Sequence, residues 1–171
     1  MAVGNLEFIK SASGTSVSSL SVTDCFSADY DVYYITSNTF KPSANANGIF
    51  RLIDSGGSVI TASEYDYATL SVRAYGTFTE TKATATTFMG YTFYSDANGT
   101  QGSGLALYII NPNNSSSYTF ALYQESSFNT GSGGLGRKGI GVHKVAEQIT
   151  GINFAGDTGT ADFDIKVFGV K

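Results

Sequence analysis

Residues Gly159–Lys171 read GTADFDIKVFGVK. From Ala161 to Val167 the alternation is strict, with Ala161, Phe163, Ile165 and Val167 on one side and Asp162, Asp164 and Lys166 on the other. Period two of this kind predicts a strand with one face in a core and one in water. Then Phe168 and Val170 fall on the side that had been polar. The expectation is a sheet whose wet face becomes covered at this end. Either a loop or bend of the same chain covers these two residues, or a neighbouring subunit does. We take the second as the candidate assembly contact.

The same period recurs along the chain. Strands are expected over Asn5–Lys10, Val17–Thr23, Tyr30–Phe40 and Ile49–Asp54, with Ser55-Gly56-Gly57-Ser58 as a hairpin turn into Val59-Ile60. Further strands are expected over Ala68–Tyr75, Phe88–Tyr94, Leu105–Asn111, Tyr118–Glu125, Ile140–Val145 and Ile149–Phe154. Thr61–Tyr67 is the best helical stretch and is too short to matter. Roughly ten short strands at hairpin spacing is the pattern of a β-sandwich, jelly roll or barrel. No composition break divides the chain, so residues 1–171 are expected to form one domain, large enough to bury roughly two-thirds of its unfolded surface.

Several middle strands are apolar on both sides. In LALYII, Leu105, Leu107 and Ile109 oppose Ala106, Tyr108 and Ile110; in FMGYTFY, Met89, Tyr91 and Phe93 oppose Phe88 and Tyr94. A two-layer sandwich wets its outer faces, so such strands point to a covering partner or to ordinary surface tyrosines and alanines.

The totals exclude whole classes of function. Charged residues are 14% of the chain, against about 25% in an average globular protein. The net charge of −4 and the pI near 4.8 oppose nucleic-acid binding, which needs clustered Lys and Arg; Arg137-Lys138 is the nearest approach. Cys25 is the single cysteine, so no intrachain disulfide is expected, in keeping with synthesis in a reducing cytosol. No apolar run reaches signal-peptide or membrane-span length, so a soluble chain with no membrane partner is expected.

No reaction emerges from the motifs. Gly131, Gly133 and Gly136 spell G-x-G-x-x-G, but a strand and not a helix should follow them, which removes the phosphate-binding geometry. A flexible tip or close backbone contact is the expected role. His143 is the single histidine, placed in a strand with no nucleophile elbow near it, and is expected at a surface or edge. With one His and one Cys, a zinc site would need carboxylates to complete it, a poor ligand set.

Glu64 and Asp66 suggest a glucanase pair, but the third acid of that pattern is replaced by Ala68 and Thr69. Asp162 and Asp164 read as a solvated row with Lys166, and Asp29 and Asp31 as turn caps. Asp96 and Asn98 resemble half a calcium loop that lacks its closing acid. Asn98 and Asn114 match the glycosylation pattern at a frequency close to chance in Asn- and Ser-rich loops. Sugar stacking would have to use the eleven tyrosines, since Trp is absent.

Four segments occur in order: SSLSVTDCFSADYDVYYITSN, FRLIDSGGSVITASEYDYA, NPNNSSSYTFALYQESS and RKGIGVHKVAEQITGINFAGDTGTADFDIKVFGVK. Together they resemble small jelly-roll structural proteins of tailed-bacteriophage virions, in pattern and turn chemistry across nearly the whole chain. The resemblance implies an all-β, antiparallel sandwich of jelly-roll type that is non-enzymatic, and it supplies no defined site; the motifs themselves lead to no expected catalytic residue, cofactor or metal. It implies a virion-surface protein made in the bacterial host cytoplasm, as head decoration (cement) or as a tail or fibre subunit. The partners it implies are other copies, as a homotrimer, and virion proteins such as the major capsid or tail protein. An adhesin that binds a host-surface glycan is the alternative.

Overall fold

The computed structural model describes residues 5–96 and 102–171. Twelve strands and no helix are found among them. They are β1 (Leu6–Val17), β2 (Ser19–Val22), β3 (Val32–Pro42), β4 (Ala46–Asp54), β5 (Tyr65–Arg73), β6 (Thr79–Thr86), β7 (Tyr91–Ser95), β8 (Gly104–Ile110), β9 (Thr119–Asn129), β10 (Gly133–His143), β11 (Ile149–Gly156) and β12 (Ala161–Val170). They form two antiparallel sheets, an eight-stranded one in the order β1-β12-β3-β8-β9-β10-β5-β6 and a four-stranded one in the order β2-β11-β4-β7. Only the β5–β6, β8–β9 and β9–β10 connections stay within one sheet. The other connections pass between the layers, giving an antiparallel β-sandwich.

The core lies where the sheets face each other. Tyr33, Ile35, Phe40, Leu107, Ile109, Phe163, Ile165 and Val167 come from the large sheet, and Phe50, Leu52, Phe93, Ile152 and Phe154 from the small one. Aromatic rings bridge the layers, as where Phe40 stacks on Phe93 at 5.1 Å. The two buried tyrosine hydroxyls nearest the layer contact are satisfied: Tyr65 accepts from Leu52 N (3.2 Å) and donates to Ile60 O (3.2 Å), and Tyr123 shares a 2.5 Å hydrogen bond with Thr69.

The expected hairpin after β4 is present. Asp54 Oδ1 accepts from Gly56 N and Ser58 N, and Gly57 adopts φ +82°, which favours a residue with no side chain. Residues 61–67 form no helix, in keeping with a stretch too short to matter, and Tyr65 opens β5 ahead of the start at Ala68 expected for that strand. Two other expectations need correction. The polar run TETKATAT, which carries no apolar alternation, is β6, an edge strand held by its ladder to β5. The glycine-rich loop is shorter than expected, because β10 begins at Gly133 and Gly139 lies against the ring of Tyr123.

Candidate functional site

On β12 the alternation is unbroken to its end, so Phe168 and Val170 share the outer face with Asp162, Asp164 and Lys166. Both are half-buried. Phe168 meets Phe8 of β1 edge-on at 5.7 Å and Tyr34 of β3 at 6.4 Å. Val170 pairs with Leu6. Coverage from the same chain is therefore real but partial.

Ladder register extends this position across the whole large sheet. Phe8 pairs with Phe168, Phe168 with Tyr34, Tyr34 with Tyr108, Tyr108 with Leu122, Leu122 with Ile140, Ile140 with Ala68, and Ala68 with Lys82. Seven of these eight positions are apolar or aromatic, and each strand contributes one. Phe8, Tyr108, Leu122 and Ile140 are between 41% and 57% exposed. A neighbouring row adds Val32, Ile110, Phe120 and Val142. On the other side runs a more polar row, Ser11, Lys166, Thr36, Ala106, Gln124, Lys138, Leu70 and Glu80.

Two adjoining hollows of about 500 and 780 Å³ lie along this face, both bounded by Ala68, Lys82, Leu122 and Ile140. Their walls are chiefly aliphatic and aromatic. A monomer rarely leaves so continuous an apolar band in water, which makes this face the candidate site. The small sheet contrasts with it: Asn153 donates to Ser21 Oγ (3.0 Å) and Arg51 Nε to Thr87 O (2.8 Å).

The structure disperses most other candidates. Asp66 turns to Lys144 (2.8 Å) and accepts from Ala85 N, and Lys144 holds its carboxyl below the usual range. Glu64 instead reaches His143 (Oε2 to Nε2, 3.2 Å), so the two acids are engaged by different partners. Asp162 accepts from Ser16 N, Asp164 lies 3.6 Å from Lys166, and Asp29 closes a turn with Ser27. Asp96 is taken up by Thr130 and Tyr94, while Asn98 lies outside the described residues. Asn114 accepts from Ser116 N in a local turn. Cys25 donates to Val22 O in the core, and burial pushes its thiol up to about 12.

His143 does not lie at the surface or edge expected of it. It is fully buried, and it ends β10 between two paired strands. Its strand phase follows Gly139 and Gly141, whose missing side chains conceal an inward face. Arg137, which the sequence suggests only as half of a short basic pair, also points inward. It donates to Phe93 O and Asn47 Oδ1 (both 2.6 Å) and lies near the faces of Tyr91 and Tyr94. Nearby, Glu125 is 6% exposed, and burial pushes its carboxyl up to about 7 against the pull of Arg137.

No protein-family model matches the chain, and no curated protein matches it. Loose overlaps exist with solved structures. The CBM2 module of Lactobacillus casei BL23 phage J-1 evolved Dit is 12% identical, covering 90% of this chain and 69% of that one at TM-score 0.26. CG-16, a homodimeric agglutinin from chicken liver, is 11% identical, covering 80% and 99% at TM-score 0.26. The infectious bursal disease virus VP2 subviral particle is 13% identical, covering 95% and 41% at TM-score 0.19. Overlaps this loose establish neither a shared fold nor a shared activity.

Proposed function

We propose that this chain is a non-enzymatic structural component of a bacteriophage virion, a surface module that associates with copies of itself. The observation behind this reading is the apolar row from Phe8 to Ala68, which crosses seven strands in register on an outer face. The virion setting rests on the sequence resemblance, with head decoration preferred to a tail or fibre position and a homotrimer as the assembly. Phe168 and Val170 belong to the contact between copies.

A second copy is the occupant that best suits the face. The apolar row and not charge supports this, because in the row beside it Glu80 is already paired with Lys82 (2.8 Å) and Lys166 lies 3.6 Å from Asp164. A glycan fits less well. Sugars need convergent polar groups around an aromatic platform, and the hollows offer mainly apolar walls, with Tyr108 in one and Phe120 in the other.

Native mass spectrometry of the full chain at micromolar concentration tests self-association. A trimer is expected, a dimer would correct the stoichiometry, and a monomer would overturn the assembly reading. Mass spectrometry of purified virions tests the setting, which fails if the protein occurs only in lysate. Strong glycan-array hits competing with association would favour the adhesin.

A further inference from the structure

Away from the apolar face, Glu64, His143 and Glu147 bring three ligand atoms within 4.8 Å of one another. Nε2 of His143 lies 3.2 Å from Glu64 Oε2 and 3.6 Å from Glu147 Oε1. The imidazole is fully buried, while the two carboxylates are about one-third exposed. One nitrogen of a core residue thus faces outward into a pair of acids at the surface.

We propose that Glu64, His143 and Glu147 form a binding site for a divalent transition metal of the zinc type. Zinc–nitrogen and zinc–oxygen bonds of about 2.0–2.2 Å place neighbouring ligand atoms about 3.3–3.6 Å apart in a tetrahedron. The two histidine–carboxylate separations, 3.2 and 3.6 Å, lie close to that range, and the two carboxylates, within 4.8 Å of each other, close the third edge on binding. An imidazole among the donors favours zinc-type metals over calcium and magnesium, which prefer six or more oxygens. Three protein ligands leave one position to water, and the exposed carboxylates give the ion a way in.

The site is held by the sheet. His143 is paired with Tyr65 on β5 and Thr119 on β9, and its ring packs on that of Tyr65 at 5.0 Å. Lys144 N donates to Glu64 O (2.9 Å), which fixes Glu64 beside the end of β10. The side chain of Lys144 is engaged with Asp66 and leaves the pair of glutamates to His143.

His143 Nδ1 is buried without a hydrogen-bond partner. Metal on Nε2 fixes the ring proton on Nδ1, where no acceptor waits. Affinity should therefore fall about 10–100-fold below that of a site with an acceptor behind its imidazole.

The test uses the full chain, stripped with a chelator and titrated with zinc sulfate by calorimetry and thermal melting. One zinc per chain and a zinc-dependent rise in melting temperature are expected. Glu64→Gln and Glu147→Gln keep the hydrogen-bonding shape, so both variants should fold, as circular dichroism will show. Each should weaken zinc binding at least tenfold and remove the thermal shift. Absence of stoichiometric binding would overturn the proposal, as would equal binding by the double variant, since the ions would then lie elsewhere.

Discussion

The rings of Phe168 and Phe8 meet edge to face, with centroids 5.7 Å apart and planes at 70°. The pair joins the last strand to the first on the outer face of the large sheet. Such a contact contributes about 1 kcal/mol within one subunit. Read by urea denaturation, Phe168→Ala should therefore lower the stability of a dissociated subunit by at least about that amount, since the half-buried ring also loses its packing on Tyr34. If copies also meet at Phe168, the same substitution weakens association at least tenfold, read by sedimentation equilibrium. A stability loss with unchanged association would make the contact purely intrachain.

Ile140 gives a cleaner probe of the interface, because at 56% exposure it contributes little to its own subunit. Ile140→Lys should change subunit stability by less than about 0.5 kcal/mol, as surface substitutions commonly do. It adds a charge within the apolar row, between Leu122 and Ala68. Buried against another copy, that charge has no partner, so the assembly should fall to monomers in native mass spectrometry.

Faces are legible in the sequence wherever side chains report them. In β12 the alternation alone separates core from surface, and Phe168 marks the apolar outer row by its position in that alternation; in β8 and β9 it marks two faces, both partly apolar, without saying which is the core. Two strands are not legible in this way. β6 has almost no apolar residues, and its conformation comes from the ladder to β5, which sequence pattern does not encode. The inward face of β10 is written largely in glycine, and Tyr123 and Met89 fill the space over Gly139 and Gly141 from elsewhere, so nothing in the sequence shows that His143 shares a buried face. The Glu64–His143–Glu147 cluster joins residues 79 positions apart, a proximity fixed only by the β5–β10 pairing.

Gly139 tests that account of β10. A methyl group there would overlap the Tyr123 ring, whose hydroxyl is held by Thr69 at 2.5 Å. Gly139→Ala should destabilise the fold by about 1–3 kcal/mol, the usual cost of overpacking. In a Tyr123→Ala background the obstacle is gone, so the added cost of Gly139→Ala should shrink to about a few tenths of a kcal/mol. A double-mutant cycle by chemical denaturation measures the difference. Additive effects would mean that the close approach does not decide the glycine.

Glu125 makes stability depend on pH in a predictable direction. Its folded pKa, about 7, lies above the ordinary value of 4.5 because burial outweighs the attraction of Arg137 and the hydrogen bond from Ser127. The folded state therefore binds this proton more tightly than the unfolded state. The resulting stability is fully present below about pH 4.5, declines as pH rises through 7, and is gone above it. The full change is on the order of 3 kcal/mol for a shift of this size. Glu125→Gln keeps a neutral side chain of the same shape beside Arg137, whose own bonds go to Phe93 O and Asn47 Oδ1. The variant should match the wild type near pH 4.5 and exceed it by up to that amount at about pH 8.5, in urea denaturation across the range. A stability difference that does not vary with pH would show that Glu125 stays ionised in the folded chain.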